Sequence, residues 1–410
     1  MKVLYVSQFF KPERVAAAFR AYENAKAWTE KGEEITILTG YPNFPTGKLF
    51  DGYKIKLLDE EYVDGIRVLR SKVIIKENTS KIKRIINALS FLFFGAYNVV
   101  FNNEMIGKDF DVVLATSGTI LAPLVGYIYS IKNKVPFILE IRDITYVQML
   151  AVYGGKKNII YNIVKKIELF LCQKASKVIV VTNGFKCKLV KDGINEKKIE
   201  VIHNGVDTNE INVSSVNHED EIVFSYMGNI GASQGIENII KIFDSLSLGE
   251  VKKKLIIIGD GAKKENIKQY IKESKLKNIV VKDGMNQSEL EKYYDTSDLC
   301  IVSLNNTEFF KNTVPSKIFQ IMGRGKCIAF FGPCGEASNI ISTVDDTFIF
   351  TNNNVEKTVS RLEKIIINSE NLKSYLEEKG KEFRILTEKK YDRRLLAEKY
   401  INILKQCTKI

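Results

Sequence analysis

The chain has 410 residues, of which 45% are hydrophobic and 27% are charged. This composition excludes wholesale disorder, and the length predicts two or three domains. The only two histidines, His203 and His218, nearly exclude a multi-histidine metal site and leave few candidates for a histidine-based catalytic relay. The net charge is +12, and residues 1–200 hold 31 of the 61 basic side chains but 20 of the 49 acidic ones, so the excess lies in the first half.

A basic first half favours an anionic partner, such as a phosphorylated ligand, nucleic acid or an acidic membrane surface; the alternative is a merely solvated surface. The six cysteines form no C-x-x-C pair, so we expect reduced, mostly buried thiols in a cytoplasmic protein. The longest apolar tract, residues 88–101, is too short to predict a membrane-spanning helix. We therefore expect a soluble protein or one attached to a membrane face.

Short β-branched runs alternate with longer amphipathic segments, which predicts βαβ units and parallel sheets. In chain order, the predicted strands are Lys2–Ser7, Glu34–Thr39, Ile66–Ser71, Val112–Ala115, Phe137–Ile141, Val178–Thr182, Ile222–Met227, Lys254–Ile258, Ile279–Lys282, Leu299–Ser303 and Cys327–Phe331. Predicted helices among and after them are Ala17–Glu30, Glu237–Ser247, Lys263–Glu273 and Tyr391–Lys405. The polar stretch 203–221 lacks apolar periodicity and is the candidate linker.

The pattern predicts an α/β protein with two doubly wound, Rossmann-like domains. We place the first at residues 1–203, joined by the C-terminal helix 391–410, and the second at residues 204–390. Parallel sheets bind ligands at the carboxyl ends of their strands, so two facing domains predict a site in the cleft between them. His203, beside the linker, is predicted to be a hinge-turn residue rather than a catalytic one.

Candidate functional residues of the first half follow predicted strands. The first strand ends in the loop Ser7–Glu13, and Arg20 lies a short helix away, so we expect both to face the cleft. The strand within Ile138–Asp143 delivers Arg142 and Asp143 to its carboxyl end, where a carboxylate is placed for acid–base or hydroxyl-orienting chemistry. The alternative for Asp143 is a helix cap or a structural ion pair.

The segment Lys81–Phe94 begins with cations and carries apolar residues at helical spacing. Such a helix fits a membrane interface, with its cations toward anionic head groups. The alternative is a helix packed on its own domain. The cations are Lys81, Lys83 and Arg84, and the apolar positions are Ile82, Ile85, Ile86, Leu89, Leu92 and Phe93.

Two glycine loops mark the second half. Gly228, Gly231 and Gly235 end a β-type run just before a helix, where close backbone approach and a helix N-terminus favour phosphate; the alternative is a plain strand-to-helix turn. The motif is not G-x-G-x-x-G, so the dinucleotide fingerprint is absent. Gly259–Gly261 is either a second sheet-edge loop beside the ligand or a simple turn.

A third motif begins at Pro315, which predicts the start of a helix. Ser316 and Lys317 fall in its first turn, and Gln320 falls one turn later on the same side. A lysine and backbone N–H groups there fit a diphosphate and an adjoining hydroxyl; the alternative for Lys317 is a solvated first-turn lysine. Downstream, Gly332–Glu336 indicates a glycine loop that ends at another helix start.

Together these segments resemble family 4 glycosyltransferases of the GT-B fold over nearly the whole chain. They are most similar to bacterial capsule and O-antigen transferases that include N-acetyl-L-fucosamine transferases. The resemblance is carried by Ser7–Glu13, Leu38–Pro45, Asp64–Val68, His203–Asp207, Gly228–Gly235, Gly259–Gly261 and Val314–Lys317. It implies a nucleotide-sugar donor bound by the second domain and an acceptor bound by the first.

The resemblance also assigns roles by position. It implies that the glycine loop and Lys317 bind the diphosphate and that Gln320 binds the ribose. The full donor-binding set is Gly228, Asn229, Gly231, Gly259, Asp260, Ser316, Lys317, Gln320 and Glu336. The acceptor-side set is Glu13, Arg20, Arg142 and Asp143. The expected catalytic residues are Asp143 and Lys317.

The chain departs from the family pattern at the donor site. Asn312 and Gln320 stand where the family has a glutamate pair, E-x7-E, and an amide bonds ribose hydroxyls without the charge-assisted strength of a carboxylate. Asn229 and Gln234 occupy basic positions of the family's glycine loop, which shifts phosphate neutralisation onto Lys317. The candidate helpers of that lysine are Arg324 and Lys326.

The chemistry implied by the resemblance is transfer with retention at the anomeric carbon, in which the donor phosphate takes the acceptor's proton and the protein positions both substrates. No metal or cofactor is expected. We predict a UDP-sugar carrying an N-acetylated hexosamine or deoxyhexosamine, and a polyprenyl-diphosphate-linked saccharide acceptor at the cytoplasmic membrane face, in capsule, O-antigen or exopolysaccharide synthesis. No nucleic acid is expected. The alternatives are a sugar-nucleotide epimerase of this fold and a non-enzymatic basic module that binds membranes or polyanions.

Overall fold

The computed structural model of the chain describes residues 1–77, 81–152, 155–215, 221–351, 354–369 and 371–408. The strands are β1 Lys2–Val6, β2 Glu34–Gly40, β3 Leu58–Val63, β4 Ile66–Ser71, β5 Val112–Thr116, β6 Phe137–Ile141, β7 Lys177–Val180, β8 Ile199–Val201, β9 Glu221–Met227, β10 Lys252–Ile258, β11 Ile279–Lys282, β12 Leu299–Ser303, β13 Cys327–Phe331 and β14 Ile349–Phe350. His218 and the side chains of Lys81 and Ile82 lie outside the described part of the chain.

The helices account for most of the remaining regular structure. They are α1 Ala16–Glu30, α2 Lys81–Phe101, α3 Asn103–Ile106, α4 Ala122–Asn133, α5 Thr145–Val152, α6 Ile159–Lys174, α7 Asn183–Lys191, α8 Ile236–Ser245, α9 Lys264–Glu273, α10 Gln287–Thr296, α11 Lys317–Gly323, α12 Glu336–Ser342, α13 Val355–Ile367, α14 Leu372–Lys390 and α15 Arg393–Thr408. All the strands expected from the sequence are present. The sequence missed β3, whose outer face is polar, and the very short β8 and β14.

The chain divides into two compact units, one formed by Met1–His203 with Arg393–Ile410 and the other by Asn204–Asp392. The stretch expected to be a linker lies mostly in the second unit, where Val206 forms a β-bridge with Asp392. The C-terminal helix α15 packs on α1 in the first unit.

Each unit is built on one sheet. In the first unit the strand order is β3-β4-β2-β1-β5-β6-β7-β8, parallel except for the antiparallel edge strand β3. In the second unit the order is β11-β10-β9-β12-β13-β14, and all pairs are parallel. The order reverses between β1 and β5 and again between β9 and β12. Both units are therefore doubly wound, as expected, and each offers a ligand crevice at the carboxyl ends of the central strands.

A buried ion pair ties α15 to the first sheet. Arg20 on α1 lies 2.9 Å from a carboxylate oxygen of Glu140 at the end of β6, and Tyr400 on α15 donates to the same oxygen at 2.6 Å. Burial raises the pKa of Glu140, but the charges of Arg20 and Arg142 outweigh it and lower that pKa to about 2. Arg20 is only 7% exposed, so it is a structural residue and not the acceptor contact expected from the sequence.

We expect Arg20→Met to lower the free energy of unfolding of the first unit by about 3–5 kcal/mol, because the substitution leaves the Glu140 carboxylate buried without its main counter-charge. Urea denaturation followed by far-UV circular dichroism measures this change. Arg14→Met, at an exposed position on the same segment, is the matched control and should shift the value by less than about 0.5 kcal/mol. Equal effects of the two substitutions would show that the pair is not a main support of α15.

Candidate functional site

Two glycine loops lie against each other at the carboxyl edge of the second sheet. The backbone N–H of Gly228, after β9, donates to Ile258 at 2.9 Å, and that of Ile230 donates to Asp260 at 2.8 Å. A Cβ atom at Gly259 would lie 1.8 Å from the carbonyl oxygen of Gly228. The glycine at 259 is thus required for the first loop to take its position, a packing role that the sequence pattern did not separate from ligand contact.

The Lys317 ammonium group lies beside the first glycine loop. Its Nζ atom is 3.8 Å from the centroid of the Tyr226 ring, and a Cβ atom at Gly228 would lie 2.7 Å from it. The Tyr226 hydroxyl donates to the carbonyl oxygen of Asn229 at 2.6 Å, which holds the ring beneath the amine. The alternative of a solvated lysine is therefore wrong, because α11 directs this side chain inward.

No residue in the described part of the chain accepts a hydrogen bond from the buried Nζ atom of Lys317. Burial lowers its pKa to about 7. A buried cation without a partner is costly for folding and is typical of a site that awaits an anion. With Gly228, whose φ of +143° suits glycine, it forms a cradle for a negatively charged group.

The other residues expected to bind the donor differ in exposure and in hydrogen-bond partners. The Asn229 side chain faces Gln234 within the loop, and Ser316 is exposed just before α11. The carboxylate of Asp260 is engaged by Lys264 and by the N–H of Gly284, so it stabilises the second loop rather than standing free. The N–H of Glu336, at the start of α12, donates to the carbonyl oxygen of Lys311 at 2.9 Å.

The two basic residues expected to help Lys317 do not point toward the glycine loop. Arg324 is fully buried and pairs with Glu291 on α10. The amine of Lys326 donates to the carbonyl oxygens of Ser215 and Ser297. Both expectations are wrong for the same reason: each cation satisfies polar groups inside the second unit.

Glu13 lies at the carboxyl edge of the first sheet and is only 2% exposed. One of its carboxylate oxygens accepts from the N–H groups of Asn43 and Phe44, each at 2.9 Å. Burial raises the pKa of Glu13 to about 7 in spite of these hydrogen bonds. Glu13 thus fixes the loop after β2, and its expected contact with an acceptor stays a prediction.

Arg142 and Asp143 follow β6, as expected. The Arg142 guanidinium donates to the carbonyl oxygens of Ala16 and Ala17 at 3.1 Å, so it supports the start of α1. Asp143 is partly exposed as a residue, and burial raises the pKa of its carboxyl group to about 6 in spite of the Arg142 charge and a hydrogen bond from Gln148. Of the four expected acceptor-side residues, Asp143 alone combines partial exposure with a carboxylate shifted toward neutral pH.

Glu168 on α6 supports this edge and was missed by the sequence analysis. Its buried carboxylate accepts from the N–H and the hydroxyl of Thr145 at 3.2 and 3.1 Å, and so fixes the turn that follows Asp143. Burial raises the pKa of Glu168 to about 7. In the sequence it is one charged residue in a helical pattern, and nothing there signals that it faces inward.

Two family models match the chain. Residues 17–210 match glycosyltransferase family 4, and residues 207–383 match glycosyl transferases group 1. The chain is 26% identical to the probable glycosyltransferase WbjE of Pseudomonas aeruginosa over 56% of this chain and 60% of that protein. It is 23% identical to an uncharacterized glycosyltransferase of Methanocaldococcus jannaschii over 43% of this chain and 45% of that protein. The chain thus spans about half the length of the curated relatives it matches.

Solved structures match over the whole chain. Sucrose-phosphate synthase from Thermosynechococcus elongatus has a TM-score of 0.70 at 14% identity, covering 99% of this chain and 98% of that one. HepE from Anabaena, solved with UDP-glucose, has a TM-score of 0.67 at 13% identity, covering 99% of this chain and 100% of that one.

The two doubly wound units form a GT-B fold, as the likeness to these solved structures also shows. The first unit holds most of the match to glycosyltransferase family 4, and the second holds most of the match to glycosyl transferases group 1. The expected fold is confirmed, and the expected enzyme class agrees with both matched family models.

Proposed function

We propose that the chain transfers a sugar from a UDP-sugar to a lipid-linked saccharide, with retention at the anomeric carbon. The observation that carries the donor half of this proposal is the buried, unpartnered ammonium group of Lys317 beside Gly228. A nucleoside diphosphate supplies the charge that this cradle lacks. The solved complex of HepE with UDP-glucose supports the choice of UDP.

In the proposed reaction the protein positions groups and stabilises charge. Lys317 and the N–H groups of Asn229 and Gly231 in the glycine loop bind the diphosphate, and their interaction strengthens as the leaving group gains charge. The attacking and leaving oxygens share one face of the sugar, so the departing phosphate takes the acceptor's proton. Asp143 orients the acceptor hydroxyl, which its partial exposure suits.

Purified protein incubated with a panel of UDP-sugars and a lipid-linked acceptor tests the proposal. We expect one donor, carrying an N-acetylated hexosamine or deoxyhexosamine, to give UDP release and glycosylated lipid. The proposal fails if no donor exceeds the rate of a Lys317→Ala control. Donor isomerisation without acceptor would instead identify an epimerase, and salt-sensitive polyanion binding without UDP affinity would identify a basic binding module.

The acceptor half of the proposal is supported by α2, which is apolar on its exposed face as well as on part of its buried face. The buried face holds Phe91 and Val99 together with three polar residues, Asn87, Ser90 and Asn98; Asn87 accepts from Gln8 at 3.0 Å and Asn98 donates to Ser71 at 3.0 Å. A second set of apolar side chains faces outward in a stripe that repeats every four residues. The stripe and its exposed fractions are Ile85 55%, Leu89 49%, Phe93 66%, Tyr97 42% and Phe101 71%.

The apolar surface extends beyond this helix. An open groove of about 640 Å³ between α2 and α4 is lined by apolar side chains from Leu89 to Phe101 together with Leu124 and Ile128. On α6, Ile159, Ile160 and Ile163 are also exposed. Exposed apolar area of this extent marks a site of contact with a membrane or another protein.

Residues 83–101 are long and apolar enough to cross a membrane by length and composition, and 33% of them are buried. The apolar helix is thus longer than the tract 88–101 from which its length was judged, because α2 begins at Lys81. Asn87 accepts from Gln8, Ser90 accepts from the N–H of Ile74, and Asn98 donates to Ser71, and these hydrogen bonds favour a helix lying along the membrane face. We therefore propose peripheral attachment to the cytoplasmic face, next to a polyprenyl-diphosphate-linked acceptor.

A further inference from the structure

We infer that Gln320 donates a hydrogen bond from its Nε2 amide to a ribose oxygen of the donor. This reverses the polarity of the glutamate in the family pattern, which can only accept. The inference rests on the proposed use of a nucleoside diphosphate.

The orientation of the Gln320 amide is fixed by Arg324, one turn later on α11. Nη1 of Arg324 lies 2.9 Å from one side-chain atom of Gln320. A guanidinium group is always protonated and carries only donors, so that atom is the amide oxygen. Gln287 on α10 donates to the same oxygen at 3.2 Å. The oxygen is thus occupied twice, and Nε2 has no acceptor in the described part of the chain.

Arg324 itself cannot turn away. It is fully buried, its Nε donates to Glu291 at 3.0 Å, and its guanidinium carbon lies 4.3 Å from the centroid of the Tyr294 ring. Its Nη1 also donates to the backbone oxygen of Gln320 at 2.9 Å. A flipped amide would face this donor with another donor, so the outward group at position 320 is an N–H.

The position of Gln320 directs that N–H toward a ribose. It lies one turn after Lys317, whose amine reaches the glycine loop, and in a nucleoside diphosphate the ribose adjoins the diphosphate. A ribose hydroxyl whose oxygen accepts from Nε2 donates its own hydrogen bond to water or to another acceptor. The amide thus binds ribose without adding negative charge near the phosphates.

Isothermal titration with UDP compares the wild type with Gln320→Glu and Gln320→Met. Glutamate can still accept from Arg324 but offers no N–H, so we expect the Kd for UDP to rise about tenfold or more; methionine removes the contact without adding charge and should raise it about fivefold. Ser288→Glu, which adds the same charge at an exposed position on α10, should stay within about twofold. Equal or tighter binding by Gln320→Glu would overturn the inference.

A second measurement uses 2′-deoxy-UDP and 3′-deoxy-UDP. One of the two analogues should bind the wild type about fivefold to tenfold more weakly than UDP, and Gln320→Met should lose that discrimination. Discrimination kept in full by Gln320→Met would overturn the inference. Failure of the wild type to bind UDP at all is a different result, because it removes the proposed donor rather than the polarity of this contact.

Discussion

Lys317→Met will lower the kcat of sugar transfer about 100-fold to 1000-fold and raise the melting temperature of the ligand-free protein. In the unliganded second unit the ammonium group is buried without an acceptor, and removing such a group stabilises the fold by about 1–3 kcal/mol. During transfer the same group stabilises the leaving diphosphate, and the loss of one such donor costs about 10²–10³ in kcat. Activity and stability therefore change in opposite directions at this position.

Calorimetry and a UDP-release assay measure these two effects of Lys317→Met. Lys241→Met, at an exposed position on α8, is the matched control and should leave both values unchanged. A melting temperature that falls along with activity would contradict the interpretation, because it would give Lys317 an ordinary structural role.

The difference in stability between Lys317→Met and the wild type also depends on pH. Burial lowers the pKa of Lys317 to about 7, whereas in the unfolded chain the amine keeps its ordinary pKa of 10.5. The cost of burying the charge is therefore present in full below pH 7 and is lost as pH rises from about 7 to 10.5. The melting-temperature gap between Lys317→Met and the wild type should narrow over that range. UDP favours the charged form, so its binding should take up a proton above pH 7.

The sequence predicted the features that rest on local pattern. Alternating apolar runs located the main strands, and Pro315 with Lys317 located the start of α11, since both signals lie within a few residues of each other. The sequence could not predict that the glycine at 259 lets its loop pack against Gly228, or that Arg324 forms a salt bridge with Glu291. Those roles depend on contacts between residues 31 and 33 positions apart in the chain, which no local pattern encodes.

Contacts between residues distant in the chain also decide the roles of the expected acceptor-side residues. Glu13 and Arg142 follow strand ends and Arg20 lies a short helix away from one, which suggested open ligand contacts. In the fold, each satisfies backbone or side-chain groups of a neighbouring element, whereas Asp143 remains partly exposed as a residue. Strand ends thus identify the functional edge of a sheet, whereas tertiary hydrogen bonds decide which side chains remain available there.

For α2, the sequence predicted an apolar stripe but not its direction. A stripe at helical spacing packs inward in most surface helices, and only the burial of Asn87, Ser90 and Asn98 shows that here it faces out. The polar face is held by partners far away in the chain, such as Gln8 and Ser71. Phe91 and Val99 also pack inward, so the outward stripe is apolar surface beyond what the core uses, and a lipid surface would stabilise it.

Leu89→Glu/Phe93→Glu will release the protein from anionic vesicles. Each side chain contributes about 1.5–3 kcal/mol when it leaves water, so the double change should lower the partition coefficient at least about 100-fold. Vesicle flotation measures it, and an unchanged thermal shift with UDP would show that the second unit is intact. The matched control is Ile367→Glu/Ile385→Glu, at positions 54% and 48% exposed in the second unit, which should float like the wild type.

Two further outcomes of the flotation experiment decide how α2 meets the membrane. Lys83→Glu/Arg84→Glu should weaken binding to anionic vesicles and leave binding to neutral ones unchanged, because these side chains act through head-group charge. Alkaline carbonate should release the wild-type protein from vesicles, since an in-plane helix holds it only through one face. Retention after carbonate would show that residues 83–101 span the bilayer, and flotation of the Leu89→Glu/Phe93→Glu protein at wild-type levels would remove α2 from the membrane contact altogether.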